Sequence, residues 1–334
     1  MGKIVIELTN RCNLKCQHCF SGRHGGRDDL PYQIIDKILQ EAKGIGFERL
    51  SFTGGDPTVY PKFKQVIKSA YDAGYLYSFN TNGQNFPTMY ADLLPYRDQL
   101  EVITFSLDGA TEGSHDRLRG KGSYRRVMQA VSICVIKELP FTFNMVVTAH
   151  NKRELKLMAE SAAKLGARGL RFGHLMPTSL TSQQDFDLTP WERKMVEAEI
   201  RVLRDNSPIR IAMAPGYHTT DMFPCAPLNL QEINIDCHGF LTKCCHLSGY
   251  SKHLKQVDLI GDLHDISLSE AYNLLVEENR RHIQVKTRNL KENNLHDSDF
   301  FTCWYCSLYY NKVGWLKEIQ DHPWSELIWN PGID

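Results

Sequence analysis

Apolar runs of strand length alternate with amphipathic runs of helix length through the first 175 residues, and this alternation limits the fold more than any other feature. Strand signals cover Lys3–Leu8, Arg49–Phe52, Leu76–Asn80, Val102–Leu107, Phe141–Thr148 and Gly169–Gly173. Helical patterns occupy 32–46, 62–74, 86–95, 123–137 and 152–165. Each crossover helix has to pack back on the sheet it leaves, so repeated units of this kind build a parallel sheet. Six of them predict an α/β fold whose sheet closes partly or wholly into a barrel.

In parallel α/β folds, ligands gather at the C-terminal ends of the strands. The unusual residues of this chain fall there. A loop with Cys12, Cys16 and Cys19 follows the first strand, TGGDP (Thr53–Pro57) the second, NTNG (Asn80–Gly83) the third and SLDG (Ser106–Gly109) the fourth. The rhythm stops after Pro177. A polar stretch then leads into a helix near 190–205, followed by short strands and turns. This divides the chain into a core at 1–180, a linker helix at 181–210 and a cysteine-rich part at 211–334.

The chain carries 39 basic and 39 acidic side chains, so net charge gives no argument for nucleic acid or a membrane surface as partner. No apolar run approaches membrane-spanning length, and MGKIVIELTN is too polar for a secretory signal. The tight clusters among the ten cysteines therefore read as metal ligands kept reduced in the cytoplasm, not as disulfides. Cys134, within VMQAVSICVI, reads as a buried structural thiol. Three thiolates at CxxxCxxC spacing are one short of a closed zinc site, so either zinc borrows a ligand such as His18 or the bound group keeps an open position. A 4Fe-4S cluster held by three thiolates leaves its fourth iron open to a small molecule.

CNLKCQHC (Cys12–Cys19) resembles the cluster loop of the radical S-adenosylmethionine (radical SAM) superfamily. The resemblance implies a partial (β/α)6 TIM-type barrel in which Cys12, Cys16 and Cys19 hold a 4Fe-4S cluster. SAM takes the open iron and is cleaved reductively to a 5′-deoxyadenosyl radical that abstracts a substrate hydrogen. Gly54, Gly55 and Asp56 match the stretch that holds the methionine amino group, with Asp56 where the family usually has Glu. Glycine there lets backbone carbonyls approach an ammonium closely. His18 matches the aromatic position beside the adenine, and Asn82, Ser106 and Asp108 stand where members contact SAM or substrate. HDRLRGKGSYRRV (His115–Val127) resembles a segment of one large branch, so Arg117 or Arg119 is expected on the SAM carboxylate. Asn144 is a further candidate.

Cys225, Gly239, Cys244 and the CxxC pair Cys303 and Cys306 resemble a shortened SPASM, or twitch, extension, a small cysteine-rich α+β unit. Cysteines are absent after Cys306, which implies one auxiliary 4Fe-4S cluster on Cys225, Cys244, Cys303 and Cys306; a four-cysteine zinc knot is the alternative. Gly239 permits the hairpin turn in INIDCHGFLTKC. Cys237 and Cys245 remain over, and either could replace a neighbouring ligand or return a hydrogen atom in an epimerisation. Oxidation of the substrate radical, with the auxiliary cluster as electron acceptor, is the favoured outcome; rearrangement within the substrate is a third. The chain begins on its first strand, so the expected substrate is a small polar metabolite such as a sugar or aminocyclitol, not a peptide. A peptide-modifying maturase is the alternative, and a non-catalytic iron–sulfur or zinc protein a remote one. A flavodoxin or ferredoxin would supply the electron. Trp304, Trp315, Trp324 and Trp329 are expected to pack the tail over the site.

Overall fold

The computed structural model describes residues 2–20, 26–182, 185–248, 258–319 and 321–329. Seven strands run parallel in chain order: β1 (Gly2–Thr9), β2 (Phe47–Gly54), β3 (Leu76–Thr81), β4 (Leu100–Ser106), β5 (Phe141–Val147), β6 (Gly169–His174) and β7 (Arg210–Met213). On the far side of β1, the same sheet continues through β8 (Glu232–Ile235), parallel to β1, into the antiparallel strands β9 (Phe240–Thr242) and β10 (Leu259–Asp262). The helices are α1 (Tyr32–Glu41), α2 (Phe63–Asp72), α3 (Phe86–Met89), α4 (Glu112–Arg119), α5 (Ser123–Ile136), α6 (Leu155–Lys164), α7 (Ser179–Ser182), α8 (Pro190–Asn206), α9 (Leu268–Lys291) and α10 (Thr302–Tyr309).

Strand side chains alternate between two faces, and the two faces differ. Along β4 and β5, Ile103, Phe105, Phe141, Phe143 and Met145 are buried under the helices. Between them, Thr104, Ser106, Thr142 and Asn144 point to the inner, half-exposed face. Helix α1 supplies Ile34, Ile35 and Ile38 to the buried layer, and α2 supplies Val66, Ile67 and Ala70. Each of these isoleucines and Val66 contributes about 1.5–3 kcal/mol by leaving water.

Three local differences from the sequence reading have physical reasons. The expected helix at 86–95 is α3 followed by 3-10 turns at Tyr90–Asp92 and Leu94–Gln99, because Pro95 has no N–H to donate. HDRLR is helical: Thr111 caps α4 through reciprocal bonds with Ser114. The linker helix α8, opened by the Thr189–Glu192 capping box, delivers a seventh parallel strand, β7, to β6. The division at 180–210 therefore marks a change of connectivity, while the sheet runs through it.

Candidate active site and second cysteine cage

The cysteine loop leaves β1 at Asn10. Cys12 and Cys16 lie within electrostatic reach of each other and of Cys19. Burial pushes the Cys12 thiol up to about 11 and raises Cys16 as well. Thiolates in such a place need a bound cation. Two N–H donors already face the sulfurs: Asn82 Nδ2 stands 3.6 Å from Cys12 Sγ, and Arg119 Nη1 3.8 Å from Cys16 Sγ. Donors so placed tune cluster thiolates, so this residue set fits the cluster.

The neighbouring loops are fastened to this one. The N–H groups of Gly55 and Asp56 donate to the carbonyls of Thr9 and Arg11, each at 2.8 Å. A Cβ on Gly54 would stand 2.1 Å from the Thr9 carbonyl oxygen, and one on Gly55 2.0 Å from that of Arg11. Gly54 also has φ +131°, a conformation side chains resist. Glycine is thus required here by the backbone of the cysteine loop itself. Asp56 is buried, and its carboxylate accepts from Thr58 N, Thr58 Oγ1, Thr81 Oγ1 and Asn82 N. It joins the β2 loop to the β3 loop and sets Asn82 under Cys12.

Asp108, fully buried at the end of β4, is the charged centre of the site. One oxygen accepts from Val146 N at 2.8 Å; the other meets His18 Nε2 at 3.0 Å and the Arg119 Nε. Burial alone would raise the Asp108 carboxyl, but Arg119 and His18 outweigh it and hold it well below the usual carboxylate range. His115 Nδ1 accepts from Asp108 N at 3.1 Å, and burial, aided by Arg119, lowers His115 to about 4. Of the two arginines on α4, Arg119 reaches the cysteine loop, while Arg117 lies on the exposed face. Ser106 and Asn144 are register partners on β4 and β5, and Arg171 on β6 is the next in that row.

Cys225, Cys244, Cys303 and Cys306 form a second cage. Cys225 and Cys303 both lie within reach of Cys306, and Cys244 within reach of all three. Burial raises all four thiols. Gly239, at φ +86°, turns the hairpin that brings Cys244 back, with the Asp236 carboxylate accepting from His238 N and Phe240 N. Imidazole nitrogens flank the sulfurs: His246 Nδ1 is 3.9 Å from Cys303 Sγ, and His282 Nε2 is 3.9 Å from Cys306 Sγ. Four thiols, Cys306 buried and the other three half-buried, with nitrogens at their edges fit an iron–sulfur cage.

The two leftover cysteines separate. Cys237 is buried in the hairpin turn. Cys245 reaches Cys244 and Cys303 on one side and Arg171, Glu232, Glu7 and Lys3 on the other, so it stands between the second cage and the inner face of the barrel. Cys134 is buried on α5. Trp304 and Trp324 pack with Met176, Phe301, Leu308, Val313 and Leu316, and Phe20 of the cysteine loop joins that cluster.

Sequence reasoning did not single out Arg171, His174, Arg193, His246, Lys243 or Lys286. His174 ends β6, and its ligand atoms, with those of His246 and Cys303, lie within 4.8 Å of one another. The strand-end rule applied to the sixth strand would have found it. The buried cations carry no spacing signal.

The Radical SAM superfamily profile matches residues 6–162. The chain is 29% identical over 205 residues to the PqqA peptide cyclase of Ruegeria pomeroyi, covering 60% of this chain and 54% of the cyclase. It thus spans about half the length of that relative. It is 26% identical over 249 residues to the AdoMet-dependent heme synthase of Methanosarcina barkeri, covering 72% of this chain and 70% of the synthase. The fold is similar to that of Streptococcus suis SuiB bound to S-adenosylmethionine, with a TM-score of 0.65 at 14% identity, over 81% of this chain and 65% of SuiB. Among the described residues no helix is long and apolar enough to cross a membrane. The barrel, the three-cysteine loop at the end of its first strand and the matching profile agree: residues 6–162 carry a radical SAM domain, of a superfamily that uses a 4Fe-4S cluster and S-adenosylmethionine.

Proposed function

We propose that this radical SAM enzyme modifies a peptide, with Cys12, Cys16 and Cys19 holding the SAM-binding cluster and Cys225, Cys244, Cys303 and Cys306 one auxiliary 4Fe-4S cluster. Together, cluster and SAM supply a 5′-deoxyadenosyl radical for hydrogen abstraction. One observation carries the reading: the first cysteine loop follows β1 and Cys244 of the second cage follows β9 of the same sheet, and the polar inner row Ser106, Asn144 and Arg171 leads toward Cys245 beside that cage. Asp108 holds Arg119 and His18 at the cysteine loop, and Asp56 holds Asn82 there. Gly54 and Gly55 keep the β2 loop against it. Arg119, not Arg117, is the arginine of the site. Cys245, not Cys237, is the thiol poised to return hydrogen if the outcome is epimerisation. A flavodoxin or ferredoxin supplies the electron.

The expectation of a small polar metabolite gives way. It rested on where the chain starts, which does not decide what a barrel binds, whereas the cyclase relative acts on a peptide. A second reading, a tetrapyrrole substrate, is favoured by the heme synthase, whose match covers more of both chains.

The test is anaerobic turnover of reconstituted enzyme with SAM and reductant. Peptides encoded beside its gene go in one arm and tetrapyrroles in the other, with 5′-deoxyadenosine and substrate mass as readouts. Loss of two hydrogens from a peptide is expected. Turnover confined to the tetrapyrrole arm would sink the peptide reading. A mass-neutral product that incorporates solvent deuterium, and fails to do so in Cys245→Ala, would replace oxidation by epimerisation.

A further inference from the structure

Three buried cations surround the second cage. Lys243 immediately precedes Cys244, and its ammonium bonds Asn279 Oδ1; Asn279 Nδ2 in turn donates to the carbonyls of Pro227 and Leu228, just past Cys225. Lys286, 1% exposed, donates to the carbonyls of Met222 and Asp299 at 3.2 Å each and lies 4.7 Å over the Tyr305 ring, next to Cys306. Arg193, 2% exposed, stands 4.3 Å over Trp324 and donates to the carbonyls of Gly216 and Leu175, within reach of Cys303.

None of the three is in an ion pair among the described residues. The carboxylates within electrostatic reach of the three are engaged elsewhere: Glu278, near Lys243, with the Tyr310 hydroxyl and Arg281; Asp299, near Lys286, with His296 N and Trp329 Nε1; and Asp187, near Arg193, with His322 Nε2 at 3.1 Å. Burying a cation without a counterion is costly. Three such cations around four thiols therefore point to an anion that completes the set. A 4Fe-4S core with four thiolates is such an anion: doubly negative when oxidised and triply negative when reduced. The first cage differs, because its buried arginine is already neutralised by Asp108.

We infer that Lys243, Lys286 and Arg193 are the counterions of the auxiliary cluster and set its reduction potential above that of the SAM-binding cluster, fitting it to accept an electron. Positive charge close to a cluster stabilises its reduced, more negative state. A cluster that reduces SAM must be a strong reductant, whereas one that receives an electron from substrate must be a weaker one. The two sites carry the corresponding local charges. The inference rests on the reading of Cys225, Cys244, Cys303 and Cys306 as a 4Fe-4S site.

The test uses the full chain carrying Cys12→Ala, Cys16→Ala and Cys19→Ala, so that only the second cage can hold a cluster. Its potential is read by anaerobic dye titration and electron paramagnetic resonance. Lys243→Met, Lys286→Met and Arg193→Met are each expected to shift the reduction equilibrium at least about tenfold toward the oxidised cluster, about 59 mV for one electron. Lys286→Arg, which keeps the charge, is expected to stay near the parent. Lys286→Gln removes the charge while keeping a polar end, and reads the same shift if methionine is not accommodated. Iron retained with an unshifted potential in the charge-removing variants overturns the inference. A parent variant that takes up no iron overturns the cluster reading and this inference with it.

Discussion

Asp108 and Arg119 show what a buried charge pair does at the scale of single residues. The carboxylate has no exposure, and it meets the guanidinium, His18 and a backbone N–H at once. Removing one partner of such a pair leaves the other charge buried and alone. Asp108→Asn is therefore expected to cost about 3–5 kcal/mol, measured by anaerobic denaturant unfolding. Arg119→Met in the same background should recover part of that loss, because the orphaned charge is then gone. Equal losses in the single and double variants would mean that the pair does not interact. Both residues were legible in the sequence as candidates, because Asp108 follows a strand end and Arg119 falls in a family segment. Their pairing was not, since residues eleven apart in two different elements show no spacing signal. Lys243, Lys286 and Arg193 were invisible for the same reason: a lysine or arginine reads as surface until burial is known.

At the scale of elements, strands long enough to alternate were readable and short or polar elements were not. The six expected strands form within a residue or two of their expected ends, while the four-residue β7 and three-residue β9 are too short to show a period. Helix α4 escaped because it buries only His115 and Leu118 among eight residues. It is held by its ends, and one of these holds its neighbour too. Asp116, near its C-terminus, accepts from Tyr124 N and Ser123 Oγ with one oxygen and from Gly122 N with the other, capping α5 from outside. Slight burial would raise the Asp116 carboxyl, but these bonds prevail and lower it. A carboxyl with a depressed folded pKa contributes stability above its unfolded pKa, about 3.9, and loses it as pH falls through the lower folded value. Asp116→Ala should thus lower stability by about 1 kcal/mol at pH 7, as loss of a helix cap does. The gap from the parent should close below pH ~4. A gap that persists undiminished at lower pH would show that the carboxylate charge is not what holds the turn.

The molecule as a whole is organised by a pairing that the sequence does not announce. Composition changes after Pro177, and that change was readable; the return of residues 232–235 to the edge of β1 was not, because it joins segments more than 200 residues apart. Along that seam Lys3 through Ile6 pair with Glu232 through Ile235, and Lys3 and Glu232 form an ion pair at 2.7 Å. Ile233, Ile235, Leu241, Leu263, Leu268, Ala271 and Leu275 belong to the same buried cluster as Ile4 and Ile6. Helix α9 is tied to α1, since Lys37 Nζ donates to the carbonyls of Leu263 and Ile266 and Leu268 N donates to Glu41 Oε2. The cysteine-rich part is therefore a wall of the barrel. It brings Cys245, next to Cys244 of the second cage, within electrostatic reach of Arg171 on the inner face. A fragment ending at Pro215 would uncover the edge of β1 and the apolar side of α1 together. Bare edges and apolar patches of that kind drive association. Such a fragment should aggregate, or bind a hydrophobic dye without a cooperative melt, even though it keeps every loop of the SAM site. A soluble monomer that melts cooperatively and takes up about four irons would instead make the C-terminal part a separable domain. The two cages would then owe their placement to docking between domains and not to one continuous sheet.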